Sequence, residues 1–216
     1  MIRLYCFLIG YFIGMISFSY ILGRIKGVDI RKKGSGNLGA TNTMRVLGKK
    51  AGVMVMLLDF AKMVAAVLVV SLLFADAYAN SKFLLQTYTL AGCIMGHDFP
   101  FYLKFKGGKG CACLGGFIIF LHPIIAMVLI WPYILVFCIT HYMSVCTISL
   151  YITFGVTVVI LGQKGMWGLE SSQLIEVYVI YLLLLLITIL KHISNIKRII
   201  NGQENKTYLT KQVKKE

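Results

Sequence analysis

Seven apolar runs dominate the chain and leave little choice of fold. They are Ile2–Leu22, Ala51–Ala75, Phe83–Phe99, Cys111–Leu121, Ile124–Thr140, Val145–Gly162 and Leu174–Leu190. A helix that crosses a bilayer needs about 17–25 apolar residues, and most of these runs supply them. Charged residues make up only 14% of the chain, against about 25% in soluble domains. The sequence therefore predicts an all-α integral membrane protein with about seven transmembrane helices, because helices satisfy their own backbone groups in lipid.

Two runs need interpretation before the crossings can be counted. The fourth run is too short to span and ends at His122 and Pro123. Proline interrupts a helix because it lacks a backbone N–H, so we predict two short antiparallel helices over residues 111–140. A single broken, re-entrant segment is the alternative. The first run is interpreted as a retained helix rather than a signal peptide, since it is long and lacks a small-residue cleavage site.

Positive charge is concentrated in three of the segments outside the runs. Residues 23–50 hold eight Lys and Arg, residues 100–110 hold three, and the segment from Lys191 holds seven, out of 22 in the chain. Such an excess marks cytoplasmic loops, and seven crossings then place the N-terminus outside and the C-terminus in the cytoplasm. The last segment begins with Ile193, Ile196 and Ile200 on one helix face. We interpret it as a basic helix lying on anionic lipid.

The first of these basic segments is rich in glycine and small polar residues. It contains Gly34, Ser35, Gly36, Asn37, Gly39, Thr41, Asn42 and Arg45. Glycines permit tight turns, and consecutive N–H groups in such turns form an anion-binding nest. The guanidinium of Arg45 adds a planar fork that grips two phosphate oxygens. This composition predicts a cytoplasmic loop that binds phosphate.

The second basic segment repeats this composition. It reads Gly96-His97-Asp98-Phe99-Pro100-Phe101-Tyr102-Leu103-Lys104-Phe105-Lys106-Gly107-Gly108-Lys109-Gly110. The fourth apolar run follows at once, and the N-terminus of its helix attracts anions. Topology alone requires lysines, but it does not require the serine, asparagine and histidine of the two segments. We therefore predict two phosphate-binding loops on one face of the membrane.

Other functions were weighed against these loops. Residues 34–39 fit Gly-x-Gly-x-x-Gly, but a dinucleotide site needs a preceding strand. The second loop has Leu103 and Cys111 where a nucleotide-binding P-loop has glycine and Ser or Thr. A transporter for a phosphorylated solute is the main alternative, because transporters also bind anions at helix ends. The short chain and the absence of detectable inverted halves count against it.

Two residue groups inside the apolar runs suggest further hypotheses. Asp59 and Lys62 lie three residues apart in the second run, where charges are functional candidates. We interpret them as a mutually neutralising pair that supports the first loop. A zinc site of Cys₃His type is a second hypothesis, made of Cys93, His97, Cys111 and Cys113. The usual close cysteine pair of zinc sites is missing, so we predict no metal.

Taken together, the motifs resemble those of the membrane-embedded bacterial acyl-phosphate:glycerol-3-phosphate acyltransferases. The resemblance rests on residues 34–45, Leu57-Leu58-Asp59-Phe60-Ala61-Lys62, Gly96-His97-Asp98-Phe99-Pro100, Lys104-Phe105-Lys106-Gly107-Gly108-Lys109-Gly110 and His192-Ile193-Ser194-Asn195-Ile196-Lys197-Arg198. It extends over about residues 5–202. We therefore predict a membrane acyltransferase domain over residues 1–202 and a basic cytoplasmic tail over residues 203–216.

The resemblance implies a reaction and a location. The family transfers a fatty acyl group from acyl phosphate to the 1-hydroxyl of sn-glycerol 3-phosphate and releases lysophosphatidate and phosphate, the first step of phospholipid synthesis. It acts at the cytoplasmic face of the bacterial inner membrane without a metal, a nucleotide or another cofactor. The implied partners are acyl phosphate, glycerol 3-phosphate and membrane lipid, with no nucleic acid. The residues themselves leave an acyl thioester donor open.

The resemblance also implies roles for particular residues. The residues implied to take part in the reaction or to bind glycerol 3-phosphate are Ser35, Arg45, His97, Lys104, His192 and Asn195. The residues that cradle the acyl phosphate are Gly36, Thr41, Asn42, Gly107, Gly108 and Lys109, and Asn37 is a further substrate-binding residue. Either histidine, or the donor phosphate itself, is a candidate to accept the hydroxyl proton.

Overall fold

The regular structure of the protein is helical, as the apolar runs predict. The computed structural model describes residues 1–208, apart from the side chain of Asn80, and has no strand in that range. Its helices are α1 (Ile2–Gly14), α2 (Phe18–Ile25), α3 (Ala40–Leu47), α4 (Lys49–Leu73), α5 (Ala75–Asp98), α6 (Cys111–Leu121), α7 (Pro123–Thr140), α8 (Met143–Gln163) and α9 (Ser171–Ile200). The predicted basic tail continues beyond the described residues, and its last three lysines, Lys211, Lys214 and Lys215, lie outside them.

Five helical segments are long and apolar enough to cross a membrane. They are Ile2–Ile25, Lys49–Leu73, Pro123–Thr140, Met143–Gln163 and Ser171–Ile200. The other two apolar runs form α5, which buries polar residues such as Gln86 and Thr87, and α6, which has only 11 residues. All seven predicted runs thus lie largely in helices, and the prediction of an all-α membrane protein is confirmed.

The first run, predicted as one helix, is broken between α1 and α2. Ser17 caps α2, and its hydroxyl accepts a hydrogen bond from the N–H of Tyr20 at 3.4 Å. The break frees the carbonyl of Ile16, which accepts a hydrogen bond from the ammonium group of Lys62 at 3.0 Å. The break in this apolar run therefore supplies a hydrogen-bond acceptor for the buried ammonium group on α4.

Residues 111–140 form two helices, as predicted. α6 ends at Leu121, His122 is extended with φ −165° and ψ 125°, and α7 begins at Pro123. Proline suits the first position of a helix, where no N–H partner is available within the helix. The imidazole of His122 accepts a hydrogen bond from the N–H of Ile124 at 3.2 Å and so caps α7.

The basic helix predicted after the last run forms the end of α9 rather than a separate element. α9 continues without interruption from Ser171 to Ile200. Its polar residues His192 and Asn195 are buried, whereas Ile200 is 78% exposed. Next to lipid, an apolar face is the exposed one, because polar side chains turn toward polar groups inside the protein. The polar face of this helix therefore points into the protein.

The most extensive helix contact joins α1 to α5. Gly10 and Gly14 of α1 face Gly92 and Gly96 of α5, with the glycines spaced four apart on each helix. A Cβ atom on any of the four would come within 2.3 Å of a backbone atom of the other helix. Small residues at this spacing let membrane helices approach closely. The contact fixes the end of α5 that carries His97.

Candidate active site

A cavity of about 410 Å³ opens among α3, α4, α6, α7, α8 and α9. Its polar lining residues are Ser35, Asn37, Thr41, Asn42, Arg45, Asp59, His97, Lys109, Ser144, Thr147, His192, Asn195 and Glu204. Its apolar lining residues include Met56, Phe60, Ile118, Ile119, Leu129, Ile130 and Leu150. The cavity thus combines polar groups from loops and helix ends with an aliphatic wall from the membrane helices. Nine of the predicted site residues line it.

Two helix N-termini face this cavity. α3 begins at Ala40 and presents Gly39, Ala40 and Thr41, while α6 begins at Cys111 and presents Cys111 and Ala112. Neither helix has a side-chain cap. The first N–H groups of a helix have no partner within it and carry partial positive charge. Each N-terminus is therefore a surface on which an anion binds favourably.

The side chain of Asn42 holds the first glycine loop in shape. Its oxygen accepts a hydrogen bond from the N–H of Ser35 at 2.8 Å, and its nitrogen donates to the carbonyl of Lys33 at 3.1 Å. Gly34 and Gly36 turn the loop with φ values of 60° and 72°. Because both ends of the amide are occupied, the structure favours a loop-shaping role for Asn42 over the predicted direct contact with substrate.

Side chains from the second loop, α9 and the tail meet at the polar end of the cavity. Lys109 donates a hydrogen bond to the amide oxygen of Asn195. The amide nitrogen of Asn195 donates to Glu204 at 2.7 Å, and Arg198 donates to the same carboxylate at 2.6 Å. The carboxylate of Glu204 therefore orients the predicted site residue Asn195 and balances part of the positive charge.

A buried charge network supports His97. The ammonium group of Lys62 lies 2.7 Å from the carboxylate of Asp59, 2.8 Å from Nδ1 of His97 and 3.0 Å from the carbonyl oxygen of Ile16. All three ammonium protons thus have an acceptor. Since Nδ1 accepts, the neutral imidazole of His97 carries its proton on Nε2. The interpretation of a neutralising pair is confirmed, but Lys62 acts on His97 and the α1–α2 break rather than on the first loop.

The imidazole of His192 has the opposite tautomer. Its Nδ1 lies 2.8 Å from the carbonyl oxygen of Thr188, one turn earlier on α9. A carbonyl only accepts hydrogen bonds, so Nδ1 carries the proton and Nε2 keeps a free lone pair. The two neutral histidines therefore offer one donor, at His97, and one acceptor, at His192. Only His192 is ready to accept the hydrogen of a hydroxyl group.

The glycines of the second loop pack against His97 instead of lining the cavity. The N–H of Gly107 donates to the carbonyl of Asp98 at 3.1 Å, and that of Gly108 donates to the carbonyl of His97 at 2.9 Å. A Cβ atom at Gly108 would lie 1.9 Å from Nε2 of His97. The N–H of Gly36 is likewise bonded within its own loop. These three glycines therefore shape the loops, and their N–H groups are not free to cradle a phosphate as predicted.

Lys104 is a predicted site residue whose side chain lies outside the cavity. It ends the 3₁₀ turn Phe101–Leu103 in the left-handed conformation, with φ 55° and ψ 40°. Its side chain is exposed and does not line the cavity. The turn directs the chain back so that Lys109, five residues later, reaches the cavity instead.

The cavity contains two acidic residues, Asp59 and Glu204, and neither was among the predicted site residues. The sequence indicated a supporting role for Asp59, because a charge within an apolar run needs a partner. Nothing in the sequence indicates a role for Glu204, because its carboxylate reaches its partners only after the chain turns back beyond α9. The same turn brings the side chain of Thr207 to 3.5 Å from the guanidinium of Arg45, and the N–H of Thr207 to 2.9 Å from the carbonyl of His141. The described part of the tail therefore packs on the rim of the cavity.

The residues of the zinc hypothesis have other partners. Cys93 and Cys113 belong to the apolar core, and Cys111 lies beside Thr147. His97 is bound to Lys62. Within residues 1–208, no group of three or more His, Cys, Asp or Glu side chains is arranged to hold a metal ion.

Comparison with other sequences identifies the family of the chain. The family model described as glycerol-3-phosphate acyltransferase matches residues 4–202. A protein of Pseudothermotoga lettingae named glycerol-3-phosphate acyltransferase is 36% identical over 209 residues, which are 96% of each chain. A protein of Clostridioides difficile with the same name is 38% identical over 201 residues, 92% of each chain.

Solved structures agree as well. The crystal structure of PlsY (YgiH), an integral membrane glycerol 3-phosphate acyltransferase, in its glycerol 3-phosphate form superposes with a TM-score of 0.78 at 30% identity, over 95% of this chain and 96% of that one. The lysphosphatidic acid form gives a TM-score of 0.76 at 30% identity, over 95% of both chains. The chain described here therefore belongs to the glycerol-3-phosphate acyltransferase family.

Proposed function

We propose that this protein transfers a fatty acyl group from acyl phosphate to the 1-hydroxyl of sn-glycerol 3-phosphate. The products are lysophosphatidate and inorganic phosphate, and the reaction begins phospholipid synthesis. One observation carries the proposal: a single cavity joins two helix N-termini and cationic side chains to an aliphatic wall. Such a cavity suits two phosphorylated substrates of which one bears a fatty chain. The glycerol 3-phosphate and lysphosphatidic acid forms of PlsY support the acceptor and the product.

Glycerol 3-phosphate is proposed to bind at the side of the cavity lined by Ser35, Arg45 and Asn195. The fork of Arg45 suits a phosphate group, and Asn195 is held in place for a polar ligand by Glu204. Lys104, which is exposed on the second loop, is proposed to attract the anionic substrates toward the cavity mouth. The donor phosphate is proposed to bind between the starts of α3 and α6, near Asn37, Thr41 and Lys109.

Acyl phosphate is an activated mixed anhydride, so the transfer needs no nucleophile from the protein. The oxygen of the 1-hydroxyl attacks the carbonyl carbon, and the bond between that carbon and the phosphate oxygen breaks. The hydroxyl proton passes by way of Nε2 of His192 to the departing phosphate, which would otherwise leave as a strongly basic trianion. His97 is proposed to donate from Nε2 to a phosphate oxygen. The remaining contribution of the site is to position both substrates and stabilise charge.

The proposed membrane arrangement has seven crossings, with the N-terminus outside and the C-terminus in the cytoplasm of a bacterial cell. α5 and α6 provide the two crossings that length and hydropathy alone do not identify. Both basic loops and the polar end of the cavity then share the cytoplasmic side of the plasma membrane, where segments rich in Lys and Arg belong. The catalytic domain is proposed to extend over residues 1–202, with residues 203–216 as its tail.

Replacing Arg45 by alanine tests the proposal. Purified protein is given labelled glycerol 3-phosphate and palmitoyl phosphate, without added metal or carrier protein, and lysophosphatidate is measured. Wild-type protein is expected to form the product, and Arg45→Ala to lose about 100-fold or more in kcat/KM, because a charged two-pronged phosphate contact is removed. Arg45→Lys keeps the charge without the fork and is expected to be intermediate.

The matched control is Arg24→Ala. Arg24 is an exposed guanidinium that lies over the ring of Tyr20 and does not line the cavity. Its removal is expected to leave product formation unchanged. Folded wild-type protein that makes no lysophosphatidate from palmitoyl phosphate would contradict the proposed donor, and palmitoyl thioesters would then be offered in the same assay.

The charge of Lys109 predicts a pH dependence. Burial, followed by the positive charge of Arg198, lowers the pKa of Lys109 from 10.5 to about 8. Lys109 is therefore charged below about pH 8 and loses its attraction for anions above it. We expect kcat/KM, which reports the free enzyme, to fall about tenfold per pH unit in that range. Lys109→Arg stays charged, so its profile from pH 6.5 to 9.5 should lack this fall; identical profiles would contradict the prediction.

A further inference from the structure

One hydroxyl group on the cavity wall has no part in the reaction described so far. Ser144 lies in the first turn of α8 and is 4% exposed. It lines the cavity, and its Oγ has no hydrogen-bond partner within the described residues. A buried hydroxyl without a partner costs about 1–3 kcal/mol. Such a group facing a cavity indicates that the partner comes from a ligand.

The threonine hydroxyl groups along α8 behave differently. Thr147, Thr153 and Thr157 each donate to the carbonyl four residues earlier, at 2.8–2.9 Å. Ser144 lacks this option, because the residue four positions before it, Thr140, ends α7 on the far side of the turn. The place of Ser144 at the start of its helix therefore leaves the hydroxyl free to donate into the cavity.

The start of α8 also lies against the start of α6. Cys111, the first residue of α6, lies beside Thr147. Thr147 follows Ser144 by one turn on the same face of α8, and all three residues line the cavity. Neither helix has a side-chain cap. The partial positive charges of two helix N-termini therefore meet beside this hydroxyl.

The surroundings of Ser144 differ from the cationic end of the cavity. The wall formed by α7 and α8 consists of Ala126, Leu129, Ile130, Tyr133, Met143, Ser144, Thr147 and Leu150. It carries no charged side chain, whereas α3 and the second loop contribute Arg45 and Lys109. A phosphate belongs with the cations and a fatty chain with the apolar wall. The group that links them in acyl phosphate is the carbonyl.

We propose that Ser144 is a catalytic residue that donates a hydrogen bond to the carbonyl oxygen of the acyl donor. The proposal rests on the acyl transfer proposed above. As the glycerol hydroxyl attacks the carbonyl carbon, this oxygen gains negative charge until the bond to phosphate breaks. A donor aimed at the oxygen, reinforced by two helix N-termini, stabilises the transition state more than the ground state.

Ser144→Ala separates this role from a structural one. The kcat for palmitoyl phosphate and glycerol 3-phosphate is expected to fall about 100-fold, as when one donor to a developing oxyanion is removed. The KM for glycerol 3-phosphate and the affinity for inorganic phosphate, measured by calorimetry, are expected to change less than about twofold. The thermal midpoint is expected to stay equal or rise, because the change removes a buried hydroxyl that has no partner.

Ser149→Ala is the matched control, since it makes the same change on the same helix outside the cavity. Its kcat is expected to equal that of wild-type protein. An unchanged kcat in Ser144→Ala would overturn the assignment. A lower thermal midpoint would also overturn it, and so would a loss of phosphate affinity as large as the loss of kcat. If wild-type protein shows no acyl transfer, the proposed function itself is overturned. That result differs from a loss of activity that occurs only in the Ser144→Ala variant.

Discussion

Lys62→Met is expected to lower the free energy of unfolding by about 3–5 kcal/mol, because it leaves the buried carboxylate of Asp59 without its partner. Both side chains are only 2% exposed, and the two charged atoms lie 2.7 Å apart. The same change removes the donor to Nδ1 of His97, so acyl transfer is expected to fall about 100-fold or more. Unfolding in detergent micelles and the rate of lysophosphatidate formation measure the two effects.

The double variant Asp59→Asn/Lys62→Met separates stability from activity. It removes both charges, so most of the lost stability is expected to return. Activity should remain low, since neither substitution restores the hydrogen bond that sets the tautomer of His97. Lys82→Met, at an exposed position on α5, is the control and should resemble wild-type protein. A single Lys62→Met variant with normal stability and activity would refute the role of the network.

Gly108→Ala is expected to reduce kcat/KM at least about 100-fold, although it adds a single methyl group. The new Cβ would lie 1.9 Å from Nε2 of His97, the atom proposed to donate to a substrate phosphate. The ring must then shift or the second loop must open, and a displacement of about 1 Å is enough for a loss of this size. The measurement is steady-state acyl transfer, combined with thermal unfolding to show that the variant is folded.

Gly155→Ala is the matched control for this change. Gly155 lies within α8, and a Cβ atom there would meet nothing within 4 Å. Alanine favours a helix over glycine by about 1 kcal/mol, so this variant is expected to be fully active and slightly more stable. Equal activity of the two variants would show that the ring of His97 tolerates displacement.

The sequence predicted the class of the protein and much of its site from properties that are local along the chain. Apolar runs identify membrane helices because each helix satisfies its own backbone, whatever its neighbours are. Glycine turns and nearby cations likewise predict anion binding from a dozen consecutive residues, as the loop around Arg45 illustrates. Nine of the predicted site residues consequently line the same cavity.

The functions of individual side chains required the tertiary structure, because their partners are distant in sequence. Lys62 and His97 are 35 residues apart, and Arg45 and Thr207 are 162 apart. Nothing near Gly107 or Gly108 in the sequence reveals that their N–H groups are already bonded to the end of α5. In the same way, only the turn at Lys104 determines that Lys109, and not Lys104, enters the cavity.

The sequence by itself therefore determined two properties: the medium that surrounds the helices and the chemical class of the ligands. Hydrophobicity and charge act over a few residues, and they identify lipid for the helices and phosphate for the loops. The tertiary structure decided which imidazole donates and which accepts, and which hydroxyl remains free. Those properties depend on hydrogen bonds of about 3 Å between separate helices, and such bonds exist only after the helices have packed.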